Sequence, residues 1–121
     1  DAFAGLDWLR TPACPEGYNH GYQSYACMYR PRTANLSGIS AVNEARNSWM
    51  ESLQKDGIST RPATHAVHML SFYRNKYGLS STDFPNAYIA NDCSISLPLF
   101  HGMTELEQQY VIDKVVGSVI N

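Results

Sequence analysis

The chain has 121 residues, 44% of them apolar and 17% charged, and a net charge of −2. That length suits one domain burying roughly two-thirds of its unfolded surface, and the balance excludes a disordered chain. Lys and Arg are scattered singly, and no apolar run reaches the roughly 18 residues of a membrane span, so neither nucleic acid nor a membrane is an expected partner.

Residues 1–10 contain neither an initiator Met nor a basic leader with an apolar h-region, so the expectation is a fragment of a longer protein. The first 20 residues carry Gly5, Pro12, Pro15 and Gly17 and read as mostly extended or looped. His20 to Tyr29, with Tyr22, Tyr25 and Cys27, predicts a strand that ends at Arg30-Pro31-Arg32. After a polar loop, Ser40 to Lys55 predicts a helix with Val42, Ala45, Trp49 and Leu53 on one stripe. Ser40 is placed to cap it and Glu44 to complement its dipole; Gly57 suits a left-handed terminator, with Ile58 folding back. Ser59 to Thr64 predicts a short strand and Val67 to Tyr77 a second helix stopped by Gly78.

Pro85 suits a first helical turn, with the helix running from Asn86 to Asp92. Ser94 to Leu97 predicts a brief strand closed by Pro98. Thr104 and Glu107 form a capping box for a last helix to about Val119, whose expected buried stripe is Leu106, Tyr110, Val111, Val115 and Val119. The fold class is therefore α/β of an α+β-like kind: residues 1–121 as one small domain, a small sheet with helices packed on one face.

The chemistry is thinner than the fold. The three lysines, Lys55, Lys76 and Lys114, all fall on polar stretches, whereas an imine-forming lysine needs partial desolvation. No Gly-x-Ser-x-Gly elbow or phosphate-cradling glycine loop is present, and no catalytic residue is assigned to this chain. Cys14, Cys27 and Cys93 lack metal or disulfide spacing and read as the reduced thiols of a cytoplasmic protein. His65 and His68, three apart, would share one face of a helix or turn, but lack a third ligand nearby in sequence, so no metal is expected. His20 and His101 read as packing or hydrogen-bonding residues. Arg61, before Pro62, could bind an anion or carboxylate bidentately, or equally form a surface ion pair.

Four segments carry a resemblance. Asn43 to Met50 with Leu53 resembles a helix having a recurrent Arg and an L-x-x-x-G-I ending; Gly57-Ile58-Ser59-Thr60-Arg61-Pro62 matches G-I-x-T-R-P. His65-Ala66-Val67-His68 stands where an aromatic-Pro-x-His segment is usual, and Ser96 to Thr104 reads S-L-P-L-x-x-x-M-T. Upstream, Pro15-Glu16-Gly17, His20 and Gln23-Ser24-Tyr25 fit the lead into the first small-domain strand. Together they resemble the C-terminal small domain of DegT/DnrJ/StrS-type sugar aminotransferases, with His65 and Ala66 departing from the aromatic-Pro pair. The resemblance implies a type I fold in which a large domain, absent from this chain, holds pyridoxal phosphate. It further implies a nucleotide-linked keto sugar as substrate, glutamate as the common amino donor, and a homodimer with interfacial active sites. Arg61, His65 and His68 are the positions it places near the substrate entrance, as hydrogen-bond or phosphate contacts. A dehydratase of the same superfamily and a stand-alone binding module are the alternatives.

Overall fold

The computed structural model describes residues 2–31 and 34–118. Three antiparallel strands, β1 (Leu9–Arg10), β2 (Tyr25–Tyr29) and β3 (Ser94–Leu97), form one sheet in the order β1-β2-β3. Leu9 pairs with Tyr29, and Tyr25, Ala26, Cys27 and Met28 pair with Leu97, Ser96, Ile95 and Ser94. All four β3 residues are buried, so cover reaches both faces of the sheet there.

Helices α1 (Ile39–Lys55), α2 (Ser71–Tyr77), α3 (Pro85–Cys93) and α4 (Glu105–Val116) complete the fold, with a short 3-10 turn at Val67–Met69. On α1 the expected Val42, Trp49 and Leu53 are buried and Ala45 is partly buried, with Ile39 extending the stripe. Trp49 stands edge-on to Trp8 at 5.0 Å and stacks on Tyr29 at 5.6 Å, which fastens α1 to β1 and β2. The helix ends in a Schellman arrangement. The Ile58 amide donates to the Leu53 carbonyl at 2.9 Å, the Gly57 amide donates to Gln54, and Gly57 takes a φ of 79°. Ile58 and Leu53 are both buried at this junction.

Several expectations need correction. Helix α1 begins at Ile39 with Gly38 as its N-cap, not at Ser40. The Asn35 side chain accepts from the Ser37 and Gly38 amides and sets the entry one residue earlier. Ser40 instead donates to Glu44 one turn along, inside the helix. The strand expected from His20 begins only at Tyr25, because Tyr22 adopts a φ of 44° with its amide bonded to His20 Nδ1. The Val67–Tyr77 helix is split: Leu70 is extended, leaving the 3-10 turn before it and α2 after it. Of the last helix's expected stripe, Val111 and Val115 are buried, but Leu106 is 84% and Tyr110 46% exposed. Val119 lies outside the described residues. Strand β3 and the Thr104–Glu107 capping box stand where the sequence puts them.

The strand expected over Ser59–Thr64 is reduced to a single bridge, Arg61 to Ser96, in which the Ser96 amide donates to the Arg61 carbonyl at 2.7 Å. The ladder stops because the next hydrogen-bonded partner, Ser94, which would face Ala63, has its carbonyl occupied by Arg46 Nη1 at 2.6 Å. The Ala63 amide therefore turns to the Ser94 hydroxyl, at 3.1 Å.

Candidate functional site

A groove of about 740 Å³ opens where the turn after α1, the end of β3 and α4 meet. Its size is that of small-molecule sites, which run from roughly 300 to 1,000 Å³. Residues 57–61 form one wall and 96–100 another; Met103, Leu106, Glu107, Tyr110 and Val111 come from α4 and the turn before it, and Gln23 and Ser24 close one end. The lining is mainly apolar, with hydroxyls from Ser24, Ser59 and Thr60 and one guanidinium, that of Arg61.

Arg61 is exposed, and among the described residues its side chain forms no ion pair or hydrogen bond. Its backbone is fixed by the bridge to Ser96, so the guanidinium projects from an anchored point and remains free for an incoming anion. Glu107, also on the wall, is committed elsewhere: its carboxylate accepts from the amide and hydroxyl of Thr104, both at 2.8 Å, which holds its pKa below the usual glutamate range. Tyr110 donates its hydroxyl to the Asp56 carbonyl at 2.9 Å, tying α4 to the turn after α1.

The groove gathers one of the three site residues read from the sequence. His65 and His68 do not line it. Nor do they share a face, since Ala66 is the N-cap of the 3-10 turn and His65 lies outside that turn, exposed. His68 is buried, 5.2 Å from the Phe84 ring, and among the described residues its Nε2 has no hydrogen-bond partner. The groove residues not singled out from the sequence, Gln23, Ser24, Ser59 and Thr60, carry only hydroxyl or amide groups, which leave no distinctive pattern. The S-L-P-L segment was the available signal: Leu97, Pro98 and Leu99 all line the groove.

The lysines do not suit a cofactor aldehyde. Lys55 and Lys76 are exposed, Lys76 lying 5.3 Å from the Phe72 and Tyr77 ring centres. Lys114 pairs with Asp56 at 3.0 Å, and that hydrogen bond raises its pKa, the opposite of what an imine-forming lysine needs. The residues present therefore do not fit pyridoxal phosphate. Burial pushes the Cys27 thiol up to about 12 and Cys93 up to about 11, so both are inert thiols of the core. Among the described residues no helix is long and apolar enough to cross a membrane.

The model of the DegT/DnrJ/EryC1/StrS aminotransferase family matches residues 24–116. The chain belongs to that family. The match takes in the two segments that wall the groove. MJ1066 of Methanocaldococcus jannaschii, an uncharacterized protein, is 29% identical over 115 residues, 95% of this chain and 28% of its own length. The spore coat polysaccharide biosynthesis protein SpsC of Bacillus subtilis is 24% identical over 114 residues, 94% of this chain and 28% of its own. Among solved structures, Spr1654 of Streptococcus pneumoniae, described as a candidate sugar aminotransferase, superposes in its PMP-form with a TM-score of 0.76 at 26% identity. That superposition covers 93% of this chain and 26% of Spr1654. The chain thus spans about 28% of the length of the curated relatives it matches.

Proposed function

We propose that this chain is the C-terminal small domain of a pyridoxal-phosphate-dependent aminotransferase that converts a nucleotide-linked keto sugar into an amino sugar. The observation that carries the reading is one of convergence. The G-I-x-T-R-P and S-L-P-L segments, some 40 residues apart, meet in one groove with an unpaired guanidinium on its wall. A planar guanidinium grips a phosphate bidentately, and the hydroxyls of Ser24, Ser59 and Thr60 suit the hydroxyls of a sugar. Arg61 then holds the nucleotide's diphosphate. His65 and His68 enter the reading only through the family resemblance, as hydrogen-bond or phosphate contacts in the full-length enzyme.

In this reading the larger domain binds the cofactor, which supplies the electron sink for the amino transfer. Spr1654 has been solved in PMP- and PLP-forms, which supports a cofactor-dependent reading, and SpsC is a spore coat polysaccharide biosynthesis protein, which supports a sugar-modifying one. Glutamate as amino donor, a homodimer and a cytoplasmic location belong to the same proposal.

The test is Arg61→Ala in the full-length enzyme. Losing a charged hydrogen-bonding group should raise KM for the nucleotide sugar by roughly tenfold to a hundredfold and leave KM for the amino donor unchanged. An unchanged sugar KM would refute the assignment.

A further inference from the structure

Gln23 and Ser24 close one end of the groove, yet no ladder holds them there. Strand β2 begins at Tyr25, opposite Leu97, so both residues lie beyond the last pair of the sheet. Among the described residues a single hydrogen bond holds residues 19–24. In it the Tyr22 amide donates to His20 Nδ1 at 2.8 Å and closes a tight loop next to the groove end.

That bond has strained backbone to hold. Tyr22 adopts a φ of 44°, a left-handed conformation that a β-carbon disfavours and that persists only where its surroundings impose it. His20 grips Tyr22 at two points, the amide and the ring, whose centre lies 4.4 Å from that of the imidazole. The imidazole is half-buried while Tyr22 and Gln23 are exposed, so the histidine is the better-anchored end of the loop. The closure has the form of an Asx turn, in which a side chain accepts from the amide two residues on. Asn35 makes the same closure elsewhere in this chain, its Oδ1 accepting from the Ser37 amide at 3.1 Å. Nδ1 of histidine and Oδ1 of asparagine each stand one bond from Cγ, so one can replace the other.

We propose that His20 is a positioning residue: by holding Tyr22 in its left-handed conformation it sets Gln23 and Ser24 at the end of the groove, where they meet the sugar. The proposal rests on the substrate-cleft reading above, and its test keeps the two apart. In the 121-residue chain, His20→Ala should quicken exchange of the Tyr22 amide with water about tenfold, read by NMR magnetisation transfer. The β2–β3 ladder amides should stay within about twofold, and His20→Asn, which keeps the acceptor without adding charge, should restore most of the protection.

In the full-length enzyme, His20→Ala should raise KM for the nucleotide sugar several-fold, with kcat and the amino-donor KM within about twofold, and His20→Asn should recover it. Because His20 acts through the groove end, His20→Ala should add less than about twofold to a variant already carrying Gln23→Ala and Ser24→Ala. Unchanged Tyr22 exchange in His20→Ala overturns the proposal. So does a sugar KM that responds to the Gln23→Ala and Ser24→Ala pair but not to His20→Ala. The underlying reading fails by a different result: if Arg61→Ala and that pair both leave the sugar KM unchanged, the groove is not the substrate cleft. The role given to His20 at the sugar then falls with it, whatever Tyr22 does.

Discussion

Arg46 offers the sharpest test of how the fold is held, because two effects of similar size oppose each other there. It is 3% exposed on α1, its Nη1 donates to the Ser94 carbonyl at 2.6 Å, and its Nε has no partner among the described residues. Burial pulls its pKa down, with Asp92 pushing back. Arg46→Ala removes a charged hydrogen bond, about 1.5–3 kcal/mol, together with the packing of the aliphatic stem at about 0.8 kcal/mol per buried methylene. Relief of the buried charge offsets part of this, leaving a loss of about 3 kcal/mol. Arg46→Met keeps the stem and sheds the charge. The freed Ser94 carbonyl is then in register to accept from the Ala63 amide, so this variant should fall within about 1 kcal/mol of the parent. Urea unfolding followed by the fluorescence of Trp8 and Trp49, whose rings meet in the core, reads both values, with equal m-values as the check on a two-state comparison. If Arg46→Met proves as damaging as Arg46→Ala, the guanidinium rather than the stem dominates, and the balance argued here is wrong.

Two further outcomes follow from side chains already described. Thr104→Ala removes the side-chain cap of α4 and should cost about 1 kcal/mol in the same urea assay. The box also has a pH signature: because the folded state holds Glu107 below its ordinary 4.5, its contribution is present above that value and lost as pH falls through the depressed one. Glu107→Gln should flatten that part of the acid limb of a melting-temperature profile, and an unaltered limb would contradict the assignment. Incubated with pyridoxal phosphate and reduced with borohydride, the isolated chain should show no stoichiometric labelling of one lysine by peptide mass spectrometry, since Lys114 is kept protonated by Asp56 and the other two are exposed.

Local chemistry was legible wherever a residue's role is decided by its immediate neighbours. Gly57 and Ile58 fixed the end of α1, Thr104 and Glu107 the start of α4, and the β-branched Ile95 between small serines marked β3. What escaped depends on partners distant in sequence. Leu9 and Arg10 make a strand only because Tyr29 and Met28 lie alongside. Arg46 is a charged residue buried beside an apolar stripe because a carbonyl 48 residues away meets it. At the candidate site, Arg61, read as an anion ligand or a surface ion pair, stands on the groove wall, but the spacing of His65 and His68 was misleading: a helical period applies only inside a turn, and this one starts after His65.

The misplaced apolar residues of α4 bear directly on function. Val111 and Val115 are buried, while Leu106 and Tyr110 line the groove, where Val111 joins them, so the apolar residues of the helix spread beyond the single stripe that periodicity assigns. A helix serving only as cover would need one stripe. Leu106 and Tyr110 meet the S-L-P-L wall and the anchored Arg61, and Tyr110 is tied to Asp56 rather than packed inside. An exposed leucine and tyrosine beside an unpaired arginine make a surface of mixed chemistry, apolar floor and cationic edge. The core gains nothing from either, whereas the proposed substrate, a sugar with an anionic tail, would use both in a cleft wall.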